Sequence, residues 1–300
     1  MVGVATEGAT TGRDVLLPAH VLARLERMQL GTRRRLAGRF SGEHRSPRHG
    51  SSLDFADYRD YHPGDDFRRI DYSLYARTDQ LFIRLFEAED DATLRLLVDR
   101  SASMGFDGKL LTACRLAGAL GFVGLVRRDA VTLQTVPASG PPRRFMGRHA
   151  TDPLFGSLAS LTAGGETDLD TAVGHLLARR GPPGINVVLS DLLSPTWERA
   201  IDRLPGRGGD IAVVHVLGRS DVDPDHLTGD LEVEDAESGE QIAVSLSPDS
   251  RQRLAAAVTQ WLDGVATHCR HRGIAYSRVM AEDDIVDTLL RGWQREGLLR

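Results

Sequence analysis

The chain has 300 residues, of which 41% are hydrophobic, 26% charged and 6% aromatic. That balance is typical of a globular protein and excludes a disordered or fibrous chain. The net charge of −5 excludes an overall basic field that would attract nucleic acid. The two cysteines, Cys114 and Cys269, lack the spacing of a zinc site, so we expect buried thiols in a reducing compartment.

Neither a secretory leader nor a membrane span is predicted. Residues 1–14 contain no basic stretch followed by an apolar one, which a signal peptide requires. The longest apolar run, residues 116–126, is too short to cross a bilayer and is interrupted by glycines. We therefore expect a soluble, cytoplasmic protein that does not insert into membranes.

The first 90 residues are interpreted as a smaller, partly basic region with some β structure. A helical pattern covers residues 20–30, and residues 81–86 have the composition of a strand. Eight arginines and only two glutamates lie within residues 24–48, with a single aromatic residue, Phe40. This composition favours a solvated or partner-facing segment, and phosphate binding to nucleic acid is the less favoured alternative.

From residue 91 onward, buried-strand and helix patterns alternate. The predicted strands cover residues 93–98, 131–136, 143–147, 185–190, 211–217 and 274–279. The predicted helices cover residues 109–127, 153–161, 169–180, 196–204, 248–271 and 285–293. This alternation predicts a doubly wound, mostly parallel six-stranded α/β sheet over residues 91–300, with helices on both faces. A β-hairpin insertion is predicted near residues 229–245.

The sharpest motif is the D-x-S-x-S sequence formed by Asp99, Ser101 and Ser103, directly after the first strand of this sheet. Its oxygen-bearing side chains occupy alternate positions, so an extended loop can direct them to one side. Carboxylate and hydroxyl oxygens are hard ligands that suit Mg²⁺ or Mn²⁺ better than zinc. In the alternative interpretation, the aspartate caps a helix and the serines are ordinary loop residues.

Two later residues strengthen the prediction of a metal site. A glycine-rich loop carries Thr167, and Asp191 follows the strand predicted at residues 185–190. Open doubly wound sheets bind ligands beyond the carboxyl ends of their strands, where the strand order reverses. If that strand neighbours the one at residues 93–98, then Asp99, Thr167 and Asp191 share one crevice.

These five residues resemble the metal-ion-dependent adhesion site of von Willebrand factor A domains, which combines D-x-S-x-S with a distal threonine and a distal aspartate. The resemblance implies that Ser101 and Ser103 bind a divalent cation directly, whether Mg²⁺, Mn²⁺ or Ca²⁺. It implies that Asp99, Thr167 and Asp191 bind directly or through water. A carboxylate from a partner protein would then fill the sixth octahedral position.

The loop around the threonine departs from the adhesion-site pattern. Glu166 separates the glycine pair from Thr167, and Asp168 follows the threonine directly. Either carboxylate is therefore an auxiliary metal-site candidate that could displace Thr167 from its role.

Upstream of the sheet, the sequence contains a signature formed by Phe55, Arg59, Tyr61, Gly64, Asp65, Arg68, Ile70, Asp71, Ala76, Arg77, Glu87 and Glu89. This signature is similar to that of the bacterial domain-of-unknown-function 58 family. The hairpin sequence Asp235-x-Glu237-x-Gly239-Glu240 resembles the same family, whereas Tyr72 stands where its tryptophan is expected. The resemblance runs from about residue 36 to the end. It implies an adhesion-site α/β domain that works beside a MoxR-type AAA+ ATPase.

We therefore predict a non-catalytic, metal-dependent interaction module, an adaptor or co-chaperone for a MoxR-type AAA+ ATPase and its client protein. A phosphatase of the haloacid dehalogenase type would need an aspartate where this chain has Ser101. The sequence also lacks the phosphate-binding loop G-x-x-x-x-G-K-[ST] and the nucleophile motif G-x-S-x-G. A Mg²⁺-dependent hydrolase that activates water beside Asp99 and Glu166 is the main alternative.

Overall fold

The computed structural model describes residues 16–30, 55–61, 70–86, 93–178, 184–204, 209–224, 227, 229–296 and 298–299. The chain divides into two compact units. The larger contains Met1–Gly38 and Thr93–Arg300, and the smaller contains Arg39–Ala92. The division into residues 1–90 and 91–300 that the sequence suggests stays a prediction.

The elements are numbered in chain order. The strands are β1 (Phe55–Asp60), β2 (Phe82–Phe86), β3 (Thr93–Asp99), β4 (Ala130–Val136), β5 (Arg143–Met146), β6 (Gly184–Ser190), β7 (Gly209–Leu217), β8 (Gly229–Glu234), β9 (Gln241–Leu246) and β10 (Ala275–Met280). The main helices are α1 (Ala19–Leu25), α2 (Tyr72–Thr78), α3 (Lys109–Val126), α4 (Thr151–Ala159), α5 (Leu169–Ala178), α6 (Trp197–Arg203), α7 (Arg219–Val222) and α8 (Pro248–His271). Shorter helical turns cover Ser103–Gly105, Arg148–Ala150, Ile285–Asp287, Thr288–Gly292 and Trp293–Glu296.

The smaller unit contains β1 and β2, which pair antiparallel, and α2 between them. Asp71 begins α2 because its carboxylate accepts hydrogen bonds from the Ser73 and Leu74 amides. Strand β2 lies within the strand predicted at residues 81–86, whereas β1 and α2 were not predicted. Both segments mix aromatic residues with polar or charged ones, and neither shows the hydrophobic period on which such a prediction depends.

The larger unit is an α/β fold around a six-stranded sheet of order β10-β7-β6-β3-β4-β5. Every neighbouring pair is parallel except β4 and β5, so β5 is an antiparallel edge strand. All seven residues of β3 are buried, as expected for a central strand covered on both faces. The predicted mostly parallel α/β sheet is confirmed.

Two hydrophobic cores cover the two faces of the sheet. The larger core contains Leu94, Leu96 and Val98 of β3 together with residues of α1, α3 and α4. The second contains Leu97 of the same strand together with residues of α5, α6 and α8. Because side chains alternate along a strand, successive residues of β3 contribute to opposite cores. The first helix is shorter than the pattern over residues 20–30 suggests, because α1 ends at Leu25.

Helix α3 is the centre of the larger core. Within the described residues it is the one helix with the length and apolar composition of a membrane span, and 78% of it is buried in the protein. Added β-carbons at Gly118 and Gly121 would collide with Phe155 and Leu154 of α4. The glycines therefore permit close packing of the two helices.

The order of the strands reverses beside β3. The chain passes from β3 to β4 on one side, and β6 pairs with β3 on the other, in the register Val98 to Leu189. The carboxyl ends of β3 and β6 therefore open into one crevice, the usual ligand position of such a sheet. Beyond β7, the strands β8 and β9 form an antiparallel hairpin in the segment where the sequence predicts one.

Candidate metal site

Asp99 lies at the carboxyl end of β3 with only 1% of its surface exposed. Its Oδ1 accepts a hydrogen bond of 2.9 Å from the Ser101 amide, and its Oδ2 accepts one of 2.6 Å from the Ser190 hydroxyl. Ser190 is the last residue of β6, so the bond links the ends of the two central strands. Both carboxylate oxygens of Asp99 are thereby held in place.

Ser101 and Ser103 present their hydroxyls together because the chain turns directly after Asp99. The Met104 amide donates to the Ser101 carbonyl, and the 3₁₀ turn Ser103–Gly105 follows. The two hydroxyl oxygens lie 2.9 Å apart, and both side chains are buried. The D-x-S-x-S sequence thus places two hydroxyls beside one carboxylate.

Thr167 approaches this group from the loop between α4 and α5. That loop is fixed by the Ala102 amide, which donates to the Gly165 carbonyl at 3.0 Å. Gly165 has a φ of +88°, and an added β-carbon would lie 2.9 Å from Pro137, so glycine is required here. The Thr167 hydroxyl consequently lies 3.4 Å from Asp99 Oδ1. Ser101, Ser103 and Thr167 are called the hydroxyl cluster below.

The two auxiliary candidates beside Thr167 are placed differently from the threonine. Asp168 begins helix α5, because its Oδ1 accepts a hydrogen bond of 3.0 Å from the Thr171 amide. Its pKa is lowered, first by the hydrogen bond from the Thr171 hydroxyl and then by the one from the Thr171 amide. Glu166 has an exposed side chain. Among these three neighbours, Thr167 is the residue whose side chain contacts Asp99.

Asp191 follows β6 as predicted, but its carboxylate is paired with a buried lysine. Lys109 Nζ lies 2.9 Å from Asp191 Oδ2 and 2.9 Å from Asp221 Oδ2. The other oxygen of Asp191 accepts a hydrogen bond of 3.2 Å from the Leu193 amide. Both oxygens of Asp191 are therefore engaged within the chain, and no described hydrogen bond joins them to the hydroxyl cluster. Lys109, Asp191 and Asp221 are called the lysine cluster below.

His215 supports the backbone of the lysine cluster. Its Nε2 lies 2.9 Å from the Asp191 carbonyl oxygen, and its Nδ1 lies 2.9 Å from the Tyr276 hydroxyl. Burial lowers the pKa of His215 to about 4, so the ring is neutral near pH 7. A neutral imidazole can donate to the carbonyl with one nitrogen and accept from the tyrosine with the other.

A carboxylate absent from the predicted ligand set completes the arrangement. Glu237, at the tip of the β8–β9 hairpin, accepts a hydrogen bond of 3.0 Å from the Thr167 hydroxyl and one of 2.9 Å from the Thr167 amide. Ser103 donates to the same carboxylate at 3.4 Å. The hairpin therefore brings a second carboxylate to the hydroxyl cluster, in addition to that of Asp99.

The charge around the hydroxyl cluster is uncompensated within the described part of the chain. Burial raises the pKa of Asp99 to about 6, while the hydrogen bond from Ser190 acts in the opposite direction. Asp99 is thus mostly ionised near pH 7, and no described salt bridge joins it or Glu237 to a basic side chain. A buried carboxylate without a counter-charge is costly, and a cation would remove that cost.

The donor atoms fit a small, hard divalent cation. Asp99 Oδ1, Thr167 Oγ1, Glu237 Oε1, Ser103 Oγ and Ser101 Oγ follow one another at 3.4, 3.0, 3.4 and 2.9 Å. Mg²⁺ binds oxygens at about 2.0–2.1 Å in an octahedron, which places neighbouring ligands about 3 Å apart. Among the described residues, no three His, Cys, Asp or Glu side chains gather as a metal site, and the donors here are mainly hydroxyls.

Sequence reasoning missed the two residues that most alter the interpretation of this site. Glu237 was visible in the hairpin motif, but it lies 134 residues from Ser103, and no spacing rule connects them. Lys109 had a weak signal as the only lysine of the chain, at the start of α3. Its partners Asp191 and Asp221 lie 82 and 112 residues further along the chain, so no local pattern connects them with the lysine.

Comparisons with known proteins give a family and distant structural likenesses. BatB from Bacteroides thetaiotaomicron is 14% identical, with a TM-score of 0.37 over 68% of this chain and 98% of that protein. An aerotolerance-related membrane protein from Bacteroides fragilis is 16% identical, with a TM-score of 0.36 over 69% of this chain and 98% of that protein. Uncharacterised proteins of Mycobacterium tuberculosis and Mycobacterium bovis are 29% identical over 90% of this chain and 87% of their own length.

The family match covers most of the larger unit and part of the smaller one. It extends over residues 57–261 and therefore includes every residue of the hydroxyl cluster, the lysine cluster and the β8–β9 hairpin. The upstream resemblance seen in the sequence, from Arg59 onward, falls within the same range. The chain belongs to the DUF58 family, described as a protein of unknown function.

Proposed function

We propose that this protein is a non-catalytic interaction module of von Willebrand factor A type, which binds an acidic side chain of a partner through a divalent cation. Asp99 and the hydroxyl cluster would hold the cation. The single observation that carries this proposal is the convergence of those side chains, with oxygens 2.9–3.4 Å apart, beside two carboxylates that no described basic residue neutralises.

Each donor would have a distinct role in holding the cation. A bound Mg²⁺ supplies two positive charges and a coordination position for an outside oxygen. Asp99 provides the permanent negative charge, and Ser190 orients it by donating to Oδ2. Ser101 and Ser103 are buried neutral donors, which bind without adding charge. Asp191 acts on the site through its negative charge, because Lys109 and the Leu193 amide already engage its oxygens.

The geometry supports an interaction module better than the alternative of a Mg²⁺-dependent hydrolase. A general base must reach a reacting water. Asp99 is almost completely buried, and hydrogen bonds from the protein hold both of its oxygens, which suits a fixed ligand better than a base that exchanges protons with substrate water. Glu166 has an exposed side chain and no described hydrogen bond to the hydroxyl cluster, so no described contact directs it toward a water on the cation.

The partner is proposed from the family resemblance, which points to a MoxR-type AAA+ ATPase and its client protein in the cytoplasm. The module would act as an adaptor that presents the client to the ATPase. A second surface, the arginine-rich segment at residues 24–48, falls mostly outside the described residues, which end at residue 30 there and resume at residue 55. That segment is the alternative docking region for the same partner.

Isothermal calorimetry with Mg²⁺ and Mn²⁺ tests the cation site. We expect binding to wild type and its loss in Asp99→Asn and in the double variant Ser101→Ala/Ser103→Ala. Glu166→Gln is the matched control, because it removes one exposed charge beside Thr167 and should leave binding unchanged. At one hundred times the dissociation constant, Mg²⁺ should raise the free energy of unfolding of wild type by about 2.7 kcal/mol. Equal cation affinity in all variants would reject the site.

Retention on immobilised protein tests the partner. The MoxR-type ATPase from the same organism should be retained with Mg²⁺, released by EDTA and not retained by Asp99→Asn. If the ATPase is still retained in EDTA, its binding does not depend on the cation, and the arginine-rich segment becomes the candidate docking region. If purified wild type hydrolyses a phosphoester and Asp99→Asn does not, the adaptor proposal is wrong and the hydrolase alternative takes its place.

A further inference from the structure

The β8–β9 hairpin is mostly exposed along its strands, and its tip contacts the hydroxyl cluster. Along its two strands, only Leu231, Val244 and Leu246 are partly buried, and the other strand residues are exposed. At the tip, residues 235–240 are exposed except Glu237, which is half-buried against the hydroxyl cluster. The contact made by this one carboxylate is therefore a substantial part of what holds the tip in place.

The tip is built to present that carboxylate. Asp235 Oδ1 accepts hydrogen bonds from the Glu237 amide at 3.0 Å and from the Ser238 amide at 2.7 Å. The turn closes with a bond of 2.8 Å from the Gly239 amide to the Asp235 carbonyl, and Gly239 has a φ of +71°. These local bonds fix the backbone on both sides of Glu237, so little backbone freedom is lost when its carboxylate binds.

Glu237 occupies the position that a partner's carboxylate would need. Its Oε1 lies 3.0 Å from Thr167 Oγ1 and 3.4 Å from Ser103 Oγ, the spacing of neighbouring ligands around one small cation. Its Oε2 accepts from the Thr167 amide at 2.9 Å, which orients the carboxylate with one oxygen toward the cluster. A second carboxylate cannot bind at the same place until this one leaves.

We infer that Glu237 is a built-in ligand for the cation of this site, and that the β8–β9 hairpin is a plug which a partner's carboxylate must displace. The inference rests on the proposed function and adds its regulation: the resting protein binds its own carboxylate, and activation is an exchange of one carboxylate for another. Because the internal ligand is tethered, its effective concentration is high, and a weak outside carboxylate cannot compete. A productive partner must therefore bind additional surface or hold the hairpin away.

Mn²⁺ binding, measured from the electron paramagnetic resonance of the free ion, separates this inference from the proposed function. We expect Glu237→Gln to weaken Mn²⁺ binding about tenfold, because a charged ligand becomes neutral. The matched control Glu240→Gln, an exposed glutamate on the same tip, should bind as wild type does. Loss of binding in Asp99→Asn together with unchanged binding in Glu237→Gln would overturn the plug and leave the site intact. Unchanged binding in both would overturn the site as well.

Acetate serves as the probe for the exchange. Bound Mn²⁺ broadens the methyl resonance of any acetate that reaches it, so the line width reports access to the cation. We expect strong broadening with Mn²⁺-loaded Glu237→Ala and little with wild type or Glu240→Ala. Acetate should also restore part of the Mn²⁺ affinity that Glu237→Ala has lost. Equal broadening in wild type and Glu237→Ala would show that the hairpin does not cover the cation and would overturn the inference.

Folding of the variants is checked independently of the metal. Glu237 lies on a mostly exposed hairpin, so urea unfolding in EDTA should give the same midpoint for Glu237→Ala, Glu240→Ala and wild type. If Glu237→Ala is less stable, Glu237→Gln, which keeps the shape of the side chain, carries the acetate comparison in its place.

Discussion

Asp191 and Asp221 share the Lys109 ammonium, whereas Asp99 and Glu237 share only hydroxyl and amide protons. Both pairs of carboxylates lie within the larger unit, and Asp191 follows directly after Ser190, which bonds to Asp99. The chain itself supplies the counter-charge of the first pair, which is the Lys109 ammonium. The second pair has none among the described residues, and that difference is the basis on which a cation site is proposed there.

The lysine cluster and the hydroxyl cluster are also expected to control different properties, folding stability in the first case and ligand binding in the second. A fully buried ion pair within the chain mainly determines whether the protein folds, since removing one partner leaves an unpaired charge. A cluster that depends on a soluble ion can gain or lose it, and its ligands can be exchanged without unfolding. The lysine cluster is thus expected to respond to mutation, and the hydroxyl cluster to metal and to pH.

The largest expected effect follows from removing the counter-charge of the lysine cluster. Lys109→Met should lower the free energy of unfolding by about 3–5 kcal/mol, because it leaves buried Asp191 unpaired. Urea unfolding in EDTA measures this loss. Adding Asp191→Asn and Asp221→Asn to the same protein should recover much of it. A loss below about 1 kcal/mol for Lys109→Met would contradict the structural role assigned to the pair.

The next effect is a pair of opposite pH dependences. His215 has a pKa lowered to about 4 by burial, so as pH falls below 6.5 the unfolded chain takes up its proton first, and stability is lost. Asp99 has a pKa raised to about 6, so the folded chain takes up its proton first, and acidification from pH 6 toward 4 adds stability. Each of the two groups changes the free energy of unfolding by at most about 1.4 kcal/mol per pH unit.

Single variants isolate the two contributions in metal-free protein between pH 4.5 and 7.5. Asp99→Asn should retain the loss from His215 and become more acid-sensitive than wild type. His215→Gln should retain the gain from Asp99 and become less acid-sensitive. Urea unfolding across the pH range gives both slopes. Identical slopes in wild type and both variants would contradict the pKa assignments, and saturating Mg²⁺ should make wild type resemble Asp99→Asn, because bound metal opposes protonation of Asp99.

The smallest effect concerns the turn that presents Glu237. Asp235→Ala removes the acceptor for the Glu237 and Ser238 amides but touches no side chain of the hydroxyl cluster. We expect Mn²⁺ affinity to fall about two- to fivefold, since the carboxylate must then be ordered on binding. The metal-free unfolding midpoint should not change. A loss as large as that in Glu237→Gln would indicate that the whole tip depends on Asp235.

The sheet was predictable because its strands are buried on both faces and therefore read as continuous apolar runs, such as residues 93–98 and 185–190. The grouping of Asp99, Ser101 and Ser103 was predictable because these residues lie close together in the sequence and follow such a run. The position of Thr167 followed from the topology, which brings the carboxyl ends of β3 and β6 together. The β1 strand of the smaller unit was not predictable, because its sequence has no clear alternation.

The remaining part of the site depends on contacts between distant segments. The pairing of Asp191 with Lys109 joins the end of β6 to the start of α3, 82 residues apart, and engages one oxygen of a residue predicted as a ligand. Glu237 reaches Thr167 across 70 residues on an inserted hairpin. Neither contact leaves a period or a local motif in the sequence, so only the folded arrangement reveals it.

Lys109 has a practical consequence for experiments on this chain. It is the only lysine in the sequence, and 1% of its surface is exposed. An amine-acylating reagent therefore has a single side-chain target, which it reaches only when the carboxylates around Nζ separate. The rate at which Lys109 is acylated in the native protein then measures how often this edge of the sheet opens. No surface lysine has to be mutated before that rate is measured.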